Sequence, residues 1–379
     1  DDSGKEYLEG LAGLWCASLG YGNVELIEAI TSQLKTLSYS HMFGGRTHNV
    51  VIQLAEQLNE MLPVENSRIF FANSGSEAND SHIKMLRYYF NVTGEPQKKK
   101  IIALERSYHG VTVASAALTG LPANHTHFDL PVDALGVLRA DSPHYYRGRK
   151  KGESESQFCD RIIENLEKLI LKEDPETIAA FIAEPVGGAS GVVVAPDNYF
   201  PRVENLLTKY DIMMWSDEVI CGFGRTGSNF GCETMGFTPK LISLAKQLSS
   251  AYLPISASVI PEYMHEAMIE PSSKVGVFGH GYTYTGHPAA CAAALKTLEI
   301  YQRDNLFGHA ADMGEYLQDK LSEFKNHPLV GEVRGRGLIG AVELVANKET
   351  GEAFGDLAVG AHAKQACQDN GLLVRAVGG

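Results

Sequence analysis

Apolar residues recur along this chain in two rhythms. The stretch "NVELIEAITSQLKTL" repeats them at helical spacing, with Val24, Leu26, Ile27, Ile30, Leu34 and Leu37 near one face. The runs "SRIFFAN", "KKIIALE", "TIAAFIAE", "DIMMWSDEV" and "KLISLAK" are instead short, continuously apolar and closed by polar or charged residues. Strands of a parallel sheet have both faces covered and read this way. A helix is expected from about Glu77 to Phe90, between the first two runs. The alternation predicts an α/β fold with a mostly parallel sheet flanked by helices.

The texture changes near Pro288. Helical patterns over "AACAAALKTLEIYQRD" and "DMGEYLQDKLSEFKN" precede "GEVRGRGLIGAVEL", which reads as a glycine-broken antiparallel pair. A helix over "AVGAHAKQACQDN" and a strand "GLLVRAV" follow. The division expected is a large domain over residues 26–290 and a smaller α+β domain from residues 1–25 and 291–379. The polar stretch Pro143 to Ser156 reads as a surface loop.

Where the strand runs end matters more than where they begin, because open α/β sheets bind ligands beyond the carboxyl ends of their strands. Those ends carry Asn73-Ser74-Gly75-Ser76, Glu105 to His109, Glu184, Asp217-Glu218 and Lys246. Several strands thus deliver polar groups to one edge. Each group also has an ordinary reading. Ser74 or Ser76 suits a helix N-cap, and Gly75 lets a backbone approach an anion at that helix start. Asp217 would cap a turn, or pair with a buried cation such as a protonated pyridine nitrogen. Lys246 alone would be a solvated charge, whereas a desolvated amine is a nucleophile for Schiff-base chemistry. Tyr108, in "SYHGVT", is a core tyrosine or a ring that stacks on a planar cofactor. Thr283, in "HGYTYTGHP", is a helix cap or a phosphate donor.

Bulk properties narrow the partners. The formal net charge is −13, from 33 basic and 46 acidic residues, which argues against nucleic acid as the main ligand. No apolar run approaches bilayer length, so no membrane partner is expected. The six cysteines, Cys16, Cys159, Cys221, Cys232, Cys291 and Cys367, form no CxxC or Cys/His cluster. Neither a metal site nor a disulfide framework is therefore expected. With no leader pattern visible at the start, a cytoplasmic setting is expected.

Taken together, "NSGSEAND", "SYHGVT", "AEPVGGASG", "SDEVICGFGRTG", "SLAKQLSSAYLPISA" and "HGYTYTGHP" resemble the class III, fold-type I aminotransferases, from about Tyr7 to Gly379. Within that class, "GLWC", "GESESQF" and "GHGYTYTGHP" resemble the branch of pyruvate-dependent ω-amino acid and amine transaminases. The resemblance implies a seven-stranded-type sheet and pyridoxal 5′-phosphate as cofactor. It implies that Lys246 holds the cofactor as a Schiff base and shuttles the substrate proton, while Asp217 pairs with the ring nitrogen. Tyr108 and Val219 would cover the two ring faces, with His109 in the same site and Glu184 supporting it near Asp217. Gly75 and Ser76 would bind the phosphate of their own subunit, and Thr283 that of a partner, so a homodimer or tetramer is implied. Trp15, Phe43 and Tyr108 match positions lining the substrate pocket, and Arg375 matches a mobile arginine that receives a carboxylate. Gly44 stands where some amine-preferring relatives carry another bulky aromatic. The family pattern extends past both ends of the sequence, so the smaller domain is expected to be incomplete there.

The expected reaction passes an amino group from a primary amine or ω-amino acid to a keto acid, pyruvate first. Rivals on the same scaffold are a 2-oxoglutarate-dependent aminotransferase, a racemase, an aminomutase or a decarboxylase. A non-catalytic cofactor-binding module is a rival of another class, disfavoured by the lack of a basic DNA-binding segment. A Rossmann enzyme is disfavoured because no GxGxxG follows the first strand.

Overall fold

A computed structural model describes residues 1–64, 66–355 and 358–377. Gly378 and Gly379, the end of the expected smaller domain, lie outside the described residues. A seven-stranded sheet forms the centre. Its strands are β1 (Arg68–Ala72), β2 (Lys100–Leu104), β3 (Val137–Ala140), β4 (Ile178–Ala183), β5 (Met213–Asp217), β6 (Leu241–Leu244) and β7 (Ser256–Ile260). Their order across the sheet is β1-β7-β6-β5-β4-β2-β3. The pairs among β3, β2, β4, β5 and β6 are parallel, and β7 runs antiparallel to both β1 and β6. The continuous apolar runs are explained by burial: every residue of β4 and β6 is inaccessible, sandwiched between helices.

Two helices matter for the site. The first, α1, spans Val24–Thr36, and the second, α2, spans Gly75–Val92 directly after β1. The apolar stripe read on α1 is not covered within this chain. Only Leu26 is buried, whereas Val24, Ile27, Leu34 and Leu37 are exposed. A set of large apolar side chains left in water on one helix marks an interaction face rather than a core face.

The antiparallel pair is present as Val330–Arg336 and Ile339–Leu344. The expected C-terminal strand is shorter than "GLLVRAV". Only Leu372–Leu373 pairs, in parallel, with Leu8–Glu9. That partner strand is itself two residues long, so the ladder ends there. The expected Pro143 to Ser156 loop is shorter: it contains the short helix Tyr145–Gly148 and ends at Ser154, whose side chain caps a long helix over Glu155–Glu173. Among the described residues no helix is long and apolar enough to cross a membrane.

Candidate active site

The parallel strands β2, β4, β5 and β6 end on one edge, and so does β1 through the turn into α2. In that turn Ser74 is the N-cap, its hydroxyl accepting from Glu77 N at 3.3 Å. The capping reading of the serines therefore holds at Ser74, one residue ahead of the glycine. Gly75 has no room for a side chain. A Cβ there would stand 3.0 Å from Val219 Cγ2 and 3.7 Å from Ala245 Cβ. The turn thus lies directly against the residues that follow β5 and β6. Ser76 Oγ accepts from Val111 N at 3.1 Å, which leaves its own hydrogen free to donate.

The segment after β2 closes onto the same turn. Gly110 sits at φ +121°, and a Cβ there would come within 2.5 Å of Ser76 Oγ. Only glycine satisfies both the backbone angle and the contact. The half-buried Tyr108 and buried His109 precede it. Burial raises the Tyr108 hydroxyl above its ordinary value, so it is a neutral phenol near pH 7.

Asp217 is the last residue of β5 and is buried. Its Oδ2 accepts from His109 Nδ1 at 2.8 Å and from Asn79 Nδ2 at 3.0 Å, while Oδ1 accepts from Val219 N at 3.2 Å. Three donors, and among the described residues no lysine or arginine ion pair on this carboxylate, make a group prepared for a positive partner. His109 thus works through Asp217, and its other ring nitrogen is buried with no hydrogen-bond partner among the described residues.

Glu184 follows β4. Its two oxygens accept from Tyr108 N at 2.9 Å and Gly188 N at 3.0 Å, so it braces the loop bearing Tyr108. Burial pushes its carboxyl up to about 7, with the Asp217 charge adding and His109 and the two N–H groups opposing. The folded chain therefore holds this proton more tightly than the unfolded chain, whose value is 4.5. The stability that follows is complete below pH 4.5 and lost as pH rises to about 7, roughly 3 kcal/mol in all. Thermal unfolding of the cofactor-free chain across this range should show the loss. The Glu184→Gln variant should show a flatter profile, and an equal slope in both would contradict the assignment.

Lys246 lies just beyond β6, at φ +44°. Burial lowers its ammonium below the ordinary lysine value, and Asp217 and Glu184 oppose the shift. Depression of this kind moves an amine toward its nucleophilic form.

The remaining residues divide into two groups. The Arg375 guanidinium carbon lies 5.2 Å from the centre of the Trp15 ring, and Arg375 also acts on the Tyr108 hydroxyl. Arg375 is exposed and, among the described residues, forms no ion pair, so it is free for an external carboxylate. Phe43 and Thr283 lie elsewhere. Phe43 is exposed, its ring against Gly281, and the exposed Thr283 accepts the Tyr39 hydroxyl on its carbonyl at 2.9 Å. Neither hydrogen-bonds to Lys246, Asp217 or Ser76 among the described residues. Within one chain the edge therefore assembles Gly75, Ser76, Tyr108, His109, Glu184, Asp217, Val219 and Lys246, and leaves Phe43 and Thr283 on an outer surface.

Sequence reasoning missed Asn79 and placed Glu218 at the edge without a role. Glu218 is fully buried and accepts from Gly231 N and Cys232 N, each at 2.8 Å, which makes it a loop brace. The available signal for Asn79 was its spacing, three residues after Ser76 on one helix face. Elsewhere, His144, Glu332 and Glu343 stand close enough to share an ion, but Arg147 and Arg334 already neutralise the carboxylates.

The family described as Aminotransferase class-III matches residues 1–379. The chain is 47% identical over 380 residues to gamma aminobutyrate transaminase 3, chloroplastic, of Solanum lycopersicum, covering 100% of this chain and 73% of that protein. It is 49% identical to the omega transaminase from Pseudomonas jessenii in complex with PMP, with a TM-score of 0.97 over 100% of this chain and 83% of the other. A solved structure described as a transaminase with L-ala is 50% identical, with a TM-score of 0.98 over 100% of this chain and 89% of that one.

Proposed function

This chain belongs to the class III aminotransferases, and from that premise we propose that it transfers the amino group of a primary amine or ω-amino acid to pyruvate, giving an aldehyde or ketone and alanine. Enzymes of this class use pyridoxal phosphate. The sheet edge fits that group: a glycine floor against Val219 and Ala245, a buried carboxylate lacking a cation, and a desolvated amine.

The observation that carries the reading is the placement of Lys246 and Asp217 at the ends of neighbouring strands, β6 and β5, on one edge. Bound pyridoxal phosphate supplies a carbonyl that captures the amine and a ring that takes up the electrons of the broken C–H bond. The chain supplies everything else. Gly75 and the Ser76 hydroxyl would hold the phosphate at the start of α2. Asp217 would face the ring nitrogen, keeping its negative charge against the positive one. Tyr108 and Val219 would confine the ring. Lys246 Nζ would take a proton from the amine-bearing carbon and deliver it onward. Trp15 and Phe43 would shape the donor pocket, and Arg375 would meet the carboxylate of pyruvate or of an ω-amino acid.

The uncovered face of α1, together with exposed Tyr39, Phe43 and Tyr284, supports pairing of two copies. Such pairing would let Thr283 and Phe43 serve the neighbouring site. A monomer in sedimentation at assay concentration would remove that part of the reading.

The choice of acceptor rests on likeness to a transaminase solved with L-ala, the amino product of pyruvate. With a fixed amine donor, pyruvate should sustain turnover at least tenfold faster than 2-oxoglutarate. Turnover with 2-oxoglutarate alone would overturn this choice while leaving the aminotransferase assignment intact.

A further inference from the structure

The acid that faces the ring nitrogen is tied to the helix that carries the phosphate turn. Asn79 lies on α2, one helical turn beyond Gly75 and Ser76, and is 1% exposed. Its amide nitrogen carries two hydrogens and uses both. One goes to the His109 carbonyl at 2.7 Å and the other to Asp217 Oδ2 at 3.0 Å. The same Asp217 oxygen also accepts from His109 Nδ1 at 2.8 Å. Asn79 therefore grips both the acid and the backbone of the residue that shares it. The arrangement has no slack, because Asn79, His109 and Asp217 are all nearly inaccessible. Among the described residues its carbonyl oxygen is buried with no hydrogen-bond partner, so this side chain is held there by its donor end.

Other charged neighbours bear on the same carboxylate. Glu184, from the end of β4, and Lys246, from the end of β6, both interact with it through space. His82, one turn further along α2, packs edge-on to Trp215 of β5 and lies within range of Asp217. Of the groups on α2, only Asn79 donates directly to the carboxylate among the described residues.

We propose that Asn79 is a positioning residue for the transamination: it fixes the distance between the phosphate turn and Asp217, and holds the Asp217 carboxylate in place for the ring nitrogen. Hydrogen bonds to a charged carboxylate favour the charged form, and a second carboxylate at the same place disfavours it. The inference rests on the aminotransferase reading above, and its test separates the two.

Three proteins are compared: wild type, Asn79→Ala and Asn79→Asp. The aspartate keeps the size of asparagine but sets a second acid against Asp217 Oδ2, so the pair shares a proton. Apoenzyme is titrated with pyridoxal phosphate, and the visible absorbance of the lysine-bound cofactor is then followed against pH. Both variants should bind pyridoxal phosphate at least about tenfold more weakly. In Asn79→Asp the pH midpoint of the absorbance should also rise by about one unit, because a neutral Asp217 no longer holds the ring-nitrogen proton. Apoenzyme melting is recorded in parallel. Wild-type affinity and an unmoved midpoint in Asn79→Asp would overturn the proposal. So would weakened binding in both variants that tracks lower melting with no midpoint shift, since that marks a merely structural role. Failure of the wild-type apoenzyme to bind pyridoxal phosphate would overturn the underlying reading as well.

Discussion

Lys246→Ala should abolish amine transfer and remove the visible absorbance of the lysine-bound cofactor. Two losses coincide in this substitution. The amine that anchors the cofactor disappears, and so does the base that moves the substrate proton. General acid–base catalysis alone contributes about 10²–10⁴ in rate. With the anchor gone too, turnover should fall by at least about 10⁴. The fold should survive, because the amine is a desolvated charge that burial already disfavours. Unchanged far-UV circular dichroism alongside lost turnover would separate chemistry from unfolding. Turnover within tenfold of wild type would sink the assignment of Lys246.

The second large effect is expected at Asp217. Asp217→Ala removes the Asp217 charge from the edge, leaves His109 Nδ1 without its acceptor and leaves Asn79 Nδ2 with the His109 carbonyl alone. Removing a preorganised electrostatic group of this kind typically costs about 10²–10³ in rate. Loss of ring-nitrogen pairing also removes part of the cofactor's capacity to take up electrons. A fall in kcat of at least about 10² is therefore expected, measured at saturating pyridoxal phosphate so that weakened binding does not mask it. Asp217→Glu should recover little, because the site is closed around the shorter side chain by three donors. A fall smaller than tenfold for Asp217→Ala would place the acid outside the chemistry.

Much of this site is visible in the sequence because of how parallel sheets are built. Strands β1, β2, β4, β5 and β6 read as mostly apolar runs, so the polar or charged residue that closes each run marks the edge where ligands bind. Asn73, Glu105, Glu184, Asp217 and Lys246 all stand out on that rule. Strand β7 was not legible. It reads "SASVI", with serines that are buried nonetheless, and Ser258 satisfies its hydroxyl on the Ala78 carbonyl of α2. Periodicity reports polarity and has no access to that hydrogen bond. The stripe on α1 was legible as apolar but not as uncovered, because spacing says which side chains share a face and not what lies opposite. Asn79 was hard to read for a related reason. Its spacing from Ser76 places it on the phosphate-turn face of α2, but its acceptors, the His109 carbonyl 30 residues on and Asp217 138 residues on, come beside it only through the fold.

The proposed activity at the Lys246 edge is removal of amino groups from amines that carry no α-carboxylate. A single half-reaction tests it most directly. Holoenzyme is mixed with β-alanine, γ-aminobutyrate, putrescine, taurine or 1-phenylethylamine in the absence of any keto acid, and the visible absorbance is followed. The expected result is loss of that absorbance with at least one ω-amino or simple amine donor, one equivalent of aldehyde or ketone per site, and recovery with alanine formation when pyruvate is added. Response to α-amino acids only would contradict it.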